Sequence, residues 1–203
     1  KEGMITFCFS TEEAPVIVTR ANGSEQEESL ENVLVMVFNK DGELLNKVYQ
    51  QLTVDNYSVN IYLTSGPDQS IYALCNLPEG DETTTLIEKE SITLSELKQH
   101  YTTILNPEGA YGGKHTMSGS IPLELTSNGL LKRVYTVPVR RLTAQLNFNV
   151  SFEPTKAGEQ FAVGEMFLYN IPKGSMLLDG GGADSVEGDW GYHHKDNLLD
   201  SLD

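Results

Sequence analysis

The sequence predicts an all-β protein: a β-sandwich with one short helix, followed by the start of a second sandwich. Two observations point this way. Short alternating or fully apolar runs recur along the chain, each closed by a Gly, Pro, Asn or Asp turn signal. Only one stretch carries helical spacing with a capping signal. No internal repeat of fixed period is visible, so the pattern is not that of a solenoid or propeller.

The first element is Met4–Ser10 (MITFCFS), which alternates and puts Ile5, Phe7 and Phe9 on one side of a strand. Thr11-Glu12-Glu13 interrupts it. Ala14–Thr19 resumes as a short β-branched run containing Val16 and Val18, bounded by Pro15 and Arg20. Ala21–Glu31 has no apolar period and carries Glu25, Glu27, Glu28 and Glu31 with Gly23 and Ser24, which reads as an acidic loop. Arg20 is thus an extended, exposed arginine between a detachable first strand and the rest of the core. Leu30–Asn39 follows, and its Val33–Phe38 segment is apolar without alternation, the pattern of a strand covered on both faces. Asn39-Lys40-Asp41-Gly42 supplies a hairpin turn. Glu43–Gln51 fits either the hairpin partner or a short helix. Tyr57–Leu63 alternates strictly, with Tyr57, Val59, Ile61 and Leu63 facing one way. The turn Ser65-Gly66-Pro67-Asp68 leads into a buried strand, Ile71–Leu77, ended by Pro78-Glu79-Gly80.

The helix begins at Thr93, which forms a capping box with Glu96, while Ile92 and Leu97 are placed as a hydrophobic staple. Leu94, Leu97, Tyr101 and Ile104 share a face, so the helix should run on and stop before Pro107. Glu108–Gly119, with Gly109, Gly112, Gly113 and Gly119, reads as a long loop. Ile121–Leu125 and Leu130–Val137 read as strands. Pro138 is taken as a boundary that closes a first domain at residues 1–137. Beyond it, Arg140–Phe152 alternates through Leu142, Ala144, Leu146, Phe148, Val150 and Phe152. Phe161–Asn170 adds a strand closed by Ile171-Pro172-Lys173-Gly174. These are the expected opening strands of a second sandwich over 138–203, truncated here. From Asp179 the chain is Gly- and Asp-rich and reads as a loop or disordered tail.

Composition excludes several function classes. The chain of 203 residues holds 14 Lys+Arg against 29 Asp+Glu, a formal charge of -15. That argues against nucleic acid as a partner, which needs basic surface, and suits a self-repelling surface protein. No apolar run approaches the ~20 residues of a membrane span. Lys1-Glu2-Gly3 is no signal-peptide n-region, which leaves a cytosolic protein or a mature, trimmed chain. Cys8 and Cys75 both fall in expected strands and carry no metal or redox spacing, so they read as small buried hydrophobes; a bridge would require those strands to be neighbours.

Catalytic and metal-binding constellations fail on detail. Gly109–Thr116 (GAYGGKHT) is a poor phosphate loop: its first glycine is one residue too close and His115 stands where Ser or Thr is needed. Asn39–Glu43 opens like a calcium loop, but Gln50 occupies the position of the bidentate glutamate. His193 and His194 lie near Asp189 and Asp196 without a third ligand at fixed spacing, which favours a solvated loop over a metal site. His100 reads as a surface residue, and Ser118-Gly119-Ser120 lacks a nucleophile-elbow context. The chain therefore reads as non-enzymatic, with no cofactor and no metal, and its function as binding or assembly. Removing one strand from a sandwich opens an apolar groove with unpaired backbone groups, which a strand from another chain can fill. Ile5, Phe7, Phe9, Val16 and Val18 would be the apolar plugs.

Thr19-Arg20-Ala21 before the acidic loop and Leu34–Gly42 (LVMVFNKDG), a strand ending in F-[ND]-x-x-G, open a series of stretches. In their order these resemble the Bacteroidales fimbrillins, the subunits of protease-assembled (type V) pili. Tyr72–Pro78 (YALCNLP) is similar to the Y-x-x-x-N-x-P strand, and Met117-Ser118-Gly119 with Val137–Phe152 resembles the join to a second domain. Phe161–Pro172 resembles the strand ending in NIP, and the whole covers most of residues 4–178. The resemblance implies transthyretin-like sandwiches and an exported lipoprotein, lipid-anchored to the outer membrane through an upstream cysteine before assembly into a fimbrium. It implies an arginine-specific protease that cuts between Arg20 and Ala21, and a donor strand from another pilus subunit that replaces the lost segment. It also implies a stalk, tip or anchor role, with a host protein or glycan as an adhesion ligand. The family's donor strand lies near the C-terminus and is not found in this chain. The rival reading is a surface lipoprotein that binds a glycan or protein and never polymerises.

Overall fold

The computed structural model describes residues 2–11, 30–53, 56–99, 101–103, 115–142, 166–171, 174–178 and 190–194. In chain order the elements are β1 Glu2–Thr11, β2 Asn32–Phe38, β3 Leu44–Gln51, β4 Ser58–Thr64, β5 Ser70–Cys75, α1 Asp81–Glu88 and α2 Leu94–Lys98. They continue with β6 Tyr101–Thr103, β7 Met117–Pro122, β8 Val134–Arg141, β9 Met166–Ile171, β10 Gly174–Met176 and β11 Trp190–His194. Among the described residues the protein is all-β apart from two short helices.

Seven strands form one sheet in the order β3-β2-β5-β7-β8-β1-β4. It curls until its two end strands meet: Asn46 Nδ2 donates to the Tyr62 carbonyl at 2.8 Å, and Gln50 Nε2 to that of Ser58 at 3.3 Å. The architecture is therefore between a sandwich and a closed barrel, and side-chain amides from β3 blunt both exposed edges. β10 pairs with β6 and β11 with β9, each antiparallel.

Two apolar clusters sit on opposite faces of the central strands. The inner one gathers Ile5, Phe7 and Phe9 of β1 with Val33, Val35, Val37, Val59, Ile61, Ile71, Tyr135 and Val137. The outer one takes the alternate residues Leu34, Met36, Phe38 and Leu74 and covers them with Leu86, Ile92, Leu97, Leu142, Leu177 and Leu178. β2 is thus buried on both faces, as its unalternating sequence predicts. The hairpin turn also forms: the Asn39 side-chain carbonyl accepts from the backbone N–H of Asp41 and Glu43, and Gly42 turns the corner at φ 78. The open choice at Glu43–Gln51 resolves to a strand, because β3 pairs with β2 along its length.

The helix differs from its sequence reading. The capping box between Thr93 and Glu96 is present, and Ile92 and Leu97 are both buried. Yet α2 has five residues, and Tyr101 leaves the helix to pair with Met176 in β6. Tyr-Thr-Thr favours a strand, and a cross-strand partner decides against the continued helical spacing. A second helix, α1, escapes the sequence reading because Gly80 gives it no side-chain cap and three threonines in a row are poor helix formers. Lys47 of β3 compensates at its other end: the ammonium donates to the carbonyls of Ile87 at 2.7 Å and of Lys89, where α1 has no basic residue of its own. Desolvation lowers the Lys47 pKa there, partly offset by Glu90.

The later strands are shifted in register from the sequence reading. β7 starts at Met117, inside the expected glycine loop, and Leu125 makes only an isolated bridge to Leu131. β8 starts at Val134 and runs through Pro138 to Arg141, so the proline lies within a strand. It is tolerated because β8 is laddered on one side only at that point: Val134 to Val139, Pro138 included, are registered with β1, and pairing with β7 involves Arg140 and Arg141. β11 falls inside the stretch read as a loop or tail. Among the described residues no helix is long and apolar enough to cross a membrane.

Candidate functional site: the first strand and its groove

β1 lies between β4 and β8. It is antiparallel to β4 from Glu2 to Cys8 and parallel to β8 from Thr6 to Thr11. This is the only parallel pairing among the described residues. Parallel strands need a long crossover, so β8 can meet β1 only after the chain has built the rest of the sheet. Thr6 N–H donates to the Arg133 carbonyl at 2.7 Å and Phe9 N–H to the Tyr57 carbonyl at 2.9 Å. The Thr6 hydroxyl adds a bond to Asn60 Oδ1 at 2.7 Å.

The alternation in β1 translates directly into burial. Ile5, Phe7 and Phe9 point inward and are 3%, 0% and 6% exposed. Each buried side chain of this kind contributes roughly 1.5–3 kcal/mol through apolar transfer. Taken together they are on the order of the whole stability of a typical domain. Met4 points outward, half exposed, beside Tyr62 and near Val134, which are also exposed.

Phe7 stacks on Tyr135, ring centroids 5.7 Å apart and planes 24° from parallel. The Tyr135 hydroxyl donates to the Glu124 carbonyl at 2.9 Å and accepts from the N–H of Glu124 and Lys132 at 3.2 Å each. An ion pair between Glu124 and Lys132 closes the same turn. Hydrogen bonding to Lys132 holds the Glu124 carboxyl below the usual range, and the same contact raises Lys132. Tyr135 carries no local sequence signal, since its partner Phe7 lies in a strand distant along the chain.

On the far side of the acidic stretch, β2 is anchored. Asn76 takes a positive φ of 53, and its side-chain oxygen accepts from Glu31 N–H at 2.8 Å. Its amide donates to the His115 carbonyl at 3.2 Å, and its own carbonyl accepts from the Thr116 hydroxyl at 3.0 Å. Asn32 doubles the knot, accepting from Leu77 N–H at 2.9 Å and donating to its carbonyl at 3.3 Å. The asparagine of the YALCNLP stretch thus ties the entry of β2 to the exit of β5 and the entry of β7.

Arg20, Ala21, Val16 and Val18 lie outside the described residues, as do Asp189 and Asp196. Cys8 and Cys75 are both free. Cys75 faces the inner core, where burial pushes its thiol up to about 12, while Cys8 is half-buried on the opposite side of β1 from Phe7. His193 and His194 sit in β11 opposite Phe167 and Met166. Among the described residues no group of three His, Cys, Asp or Glu could hold a metal ion.

The family described as "Major fimbrial subunit protein (FimA)" matches residues 11–127, more than half of the chain. Comparison with curated protein sequences finds no match. Among solved structures the chain is similar to a candidate cell adhesion protein from Parabacteroides distasonis, with TM-score 0.60 and 19% identity over 95% of this chain and 63% of that one. It is also similar to a fimbrial assembly protein from the same organism, with TM-score 0.57 and 14% identity over 96% and 77%. A fimbrilin from Porphyromonas gingivalis matches with TM-score 0.50 and 11% identity, over 87% of this chain and 51% of its own. The chain therefore spans about half to three quarters of the length of these structures. At these identities they share its fold. The match over residues 11–127 reaches from the end of β1 through β7, and on that evidence the chain belongs to the major fimbrial subunit protein family.

Proposed function

We propose that the chain is a structural subunit or adhesin of a cell-surface pilus, assembled by removal of β1 and entry of a strand from another subunit. One observation carries this reading: β1 is terminal in the sheet's chain order, yet sits inside it, with three apolar side chains filling the core between β4 and β8. Its loss opens a groove lined by Val59, Ile61, Tyr135 and Val137 and frees the backbone groups of both neighbours. A strand entering in the same direction would restore both ladders.

In this reading an arginine-specific protease cuts between Arg20 and Ala21 at the cell surface, and Ile5, Phe7, Phe9, Val16 and Val18 leave together. The subunit is exported and lipid-anchored to the outer membrane until it is incorporated. The chain beyond β8 is the opening part of a second, transthyretin-like sandwich, with β9 and β11 among its strands. A non-polymerising surface lipoprotein that binds a glycan or protein is the rival, and it draws on the closed state itself, in which β1 is already paired on both sides.

Limited digestion with an arginine-specific endoprotease separates the two. Pilus assembly requires a cut after Arg20, departure of the N-terminal segment and a ladder of oligomers on denaturing gels. A cut chain that keeps its segment and stays monomeric refutes assembly by strand exchange. Arg140 and Arg141, paired with β7, should resist.

A further inference from the structure

We infer that Tyr135 is the specificity-determining residue of the groove, and that it selects an incoming strand with an aromatic side chain at the centre of its apolar alternation. This rests on the strand-exchange reading above and names the chemistry of the partner.

Three observations converge on the position. First, the β4 and β8 pairings of β1 overlap only at Thr6, Phe7 and Cys8. Of the three inward residues, Phe7 alone lies within both registered ladders, between Val59 and Tyr135; Ile5 is registered against Ile61, and Phe9 against Val137 with its N–H on the Tyr57 carbonyl. The central slot is therefore the most enclosed, and Phe7 is fully buried in it. Second, the wall of this slot is an aromatic face, and the existing occupant uses it: the two rings stack at 5.7 Å. Stacked aromatic pairs are favoured by about 0.5–1.5 kcal/mol beyond their buried area. Third, the Tyr135 hydroxyl is held by groups outside β1. All three hydrogen bonds of its hydroxyl go to Glu124 and Lys132, in the turn before β8. That anchoring is independent of the strand that leaves, so the vacated slot keeps a preorganised aromatic wall. Among the described residues neither Ile5 nor Phe9 stacks on a ring, although Phe9 lies beside Tyr57 as well as Val137, so their slots read size and apolarity. The central slot reads a π face as well, which lets a strand of the right register be told from one shifted so that Ile5 would enter it.

The test uses the full chain cut after Arg20 and synthetic ten-residue peptides with the sequence of β1, competing for the emptied groove. The peptides carry Phe7, Phe7→Leu, or cyclohexylalanine in place of Phe7. The last matches phenylalanine in bulk and is more apolar but has no π face. The Phe7 peptide is expected to bind about two- to tenfold more tightly than either. Equal or tighter binding of the cyclohexylalanine peptide overturns the inference. A second arm is independent of cleavage: a double-mutant cycle of Phe7→Leu and Tyr135→Leu in the uncut chain, read by urea unfolding. A coupling factor of about two to ten in the unfolding constant is expected, and a factor of one overturns the inference. If the protease releases no strand, the assembly reading fails while the cycle still reports on the pair. If strands exchange but all three peptides bind alike, assembly stands and the selective role of Tyr135 falls.

Discussion

Gly119→Ala offers a sharp test of how the groove is built. A Cβ added at Gly119 would lie 2.0 Å from the Pro138 carbonyl oxygen, 3.0 Å from its carbon and 3.2 Å from Val139 Cα. All three atoms are backbone, so no side-chain rotation relieves the contact. Ordinary contact begins near 3.4 Å, which means that β7 and β8 must separate by roughly 1.4 Å at their crossing. Overpacking in a well-packed interior typically costs about 1–3 kcal/mol, and here the displacement also strains the two residue pairs that join the strands, Met117 with Arg141 and Ser118 with Arg140. A loss of about 3 kcal/mol is expected. That corresponds to a fall of roughly 6–12 °C in Tm for a chain of this size. Urea and thermal unfolding measure it directly. Because β8 is also one wall of the groove, β1 should leave the variant faster after cleavage. A loss below about 1 kcal/mol would show that the two strands slide apart freely, and the account of their close approach would be wrong.

Other expectations follow from the same geometry. Phe7→Ala removes a fully buried ring and leaves Tyr135 without its stacking partner, so it should cost about 3–5 kcal/mol in urea unfolding of the uncut chain. Asn76→Ala puts a non-glycine residue without a hydrogen-bonding side chain at φ 53 and strips Glu31 N–H of its acceptor; a loss of about 2–3 kcal/mol is expected, with faster amide exchange at Glu31. Cys75 should resist thiol reagents in the native chain at pH 8 while Cys8 reacts, and both should react in urea. The Cys75 thiol has a folded pKa raised from 9.0 to about 12, so its contribution is intact below pH 9 and fades as pH rises toward 12. There the unfolded chain has lost the proton that the folded chain keeps. Stability should therefore drop by about 1.4 kcal/mol per pH unit from this group between those values, and Cys75→Ala should flatten that slope in urea titrations at pH 9 to 11.

Much of this architecture was legible in the residues where the pattern is local. The alternation of Ile5, Phe7 and Phe9 gave both the strand and its buried face. The unbroken apolar run of β2 announced two covered faces, and Thr93 with Glu96 announced a helix start. What stayed hidden was set by partners far along the chain. Tyr101 leaves the helix because β10 offers it a ladder, and Pro138 sits in a strand because β8 is laddered on one side only at that point. Tyr135 carries no local mark of importance; its role exists only once a parallel pairing brings it beside Phe7. The glycine of Met117-Ser118-Gly119 reads by composition as the end of a long loop, whereas its lack of a side chain lets the backbones of β7 and β8 approach closely.

The covalent attachment of β1 to the body of the protein has a consequence in terms of concentration. While residues 12–29 are intact, β1 meets its groove as a tethered strand, and tethering of this sort sets effective concentrations on the order of millimolar for short linkers. A rival strand free in solution would have to exceed that level to compete on equal terms. The Asn76 knot holds the other end of the connection fast, so the tether is secured to the body that contains the groove. Cutting anywhere in the connection leaves every contact of β1 in place and changes only dilution: a strand that could return at once must now find its way back from bulk solvent. The bond that joins β1 to the chain thus acts as a concentration clamp, and its hydrolysis would supply the direction that strand pairing alone, being reversible, does not have.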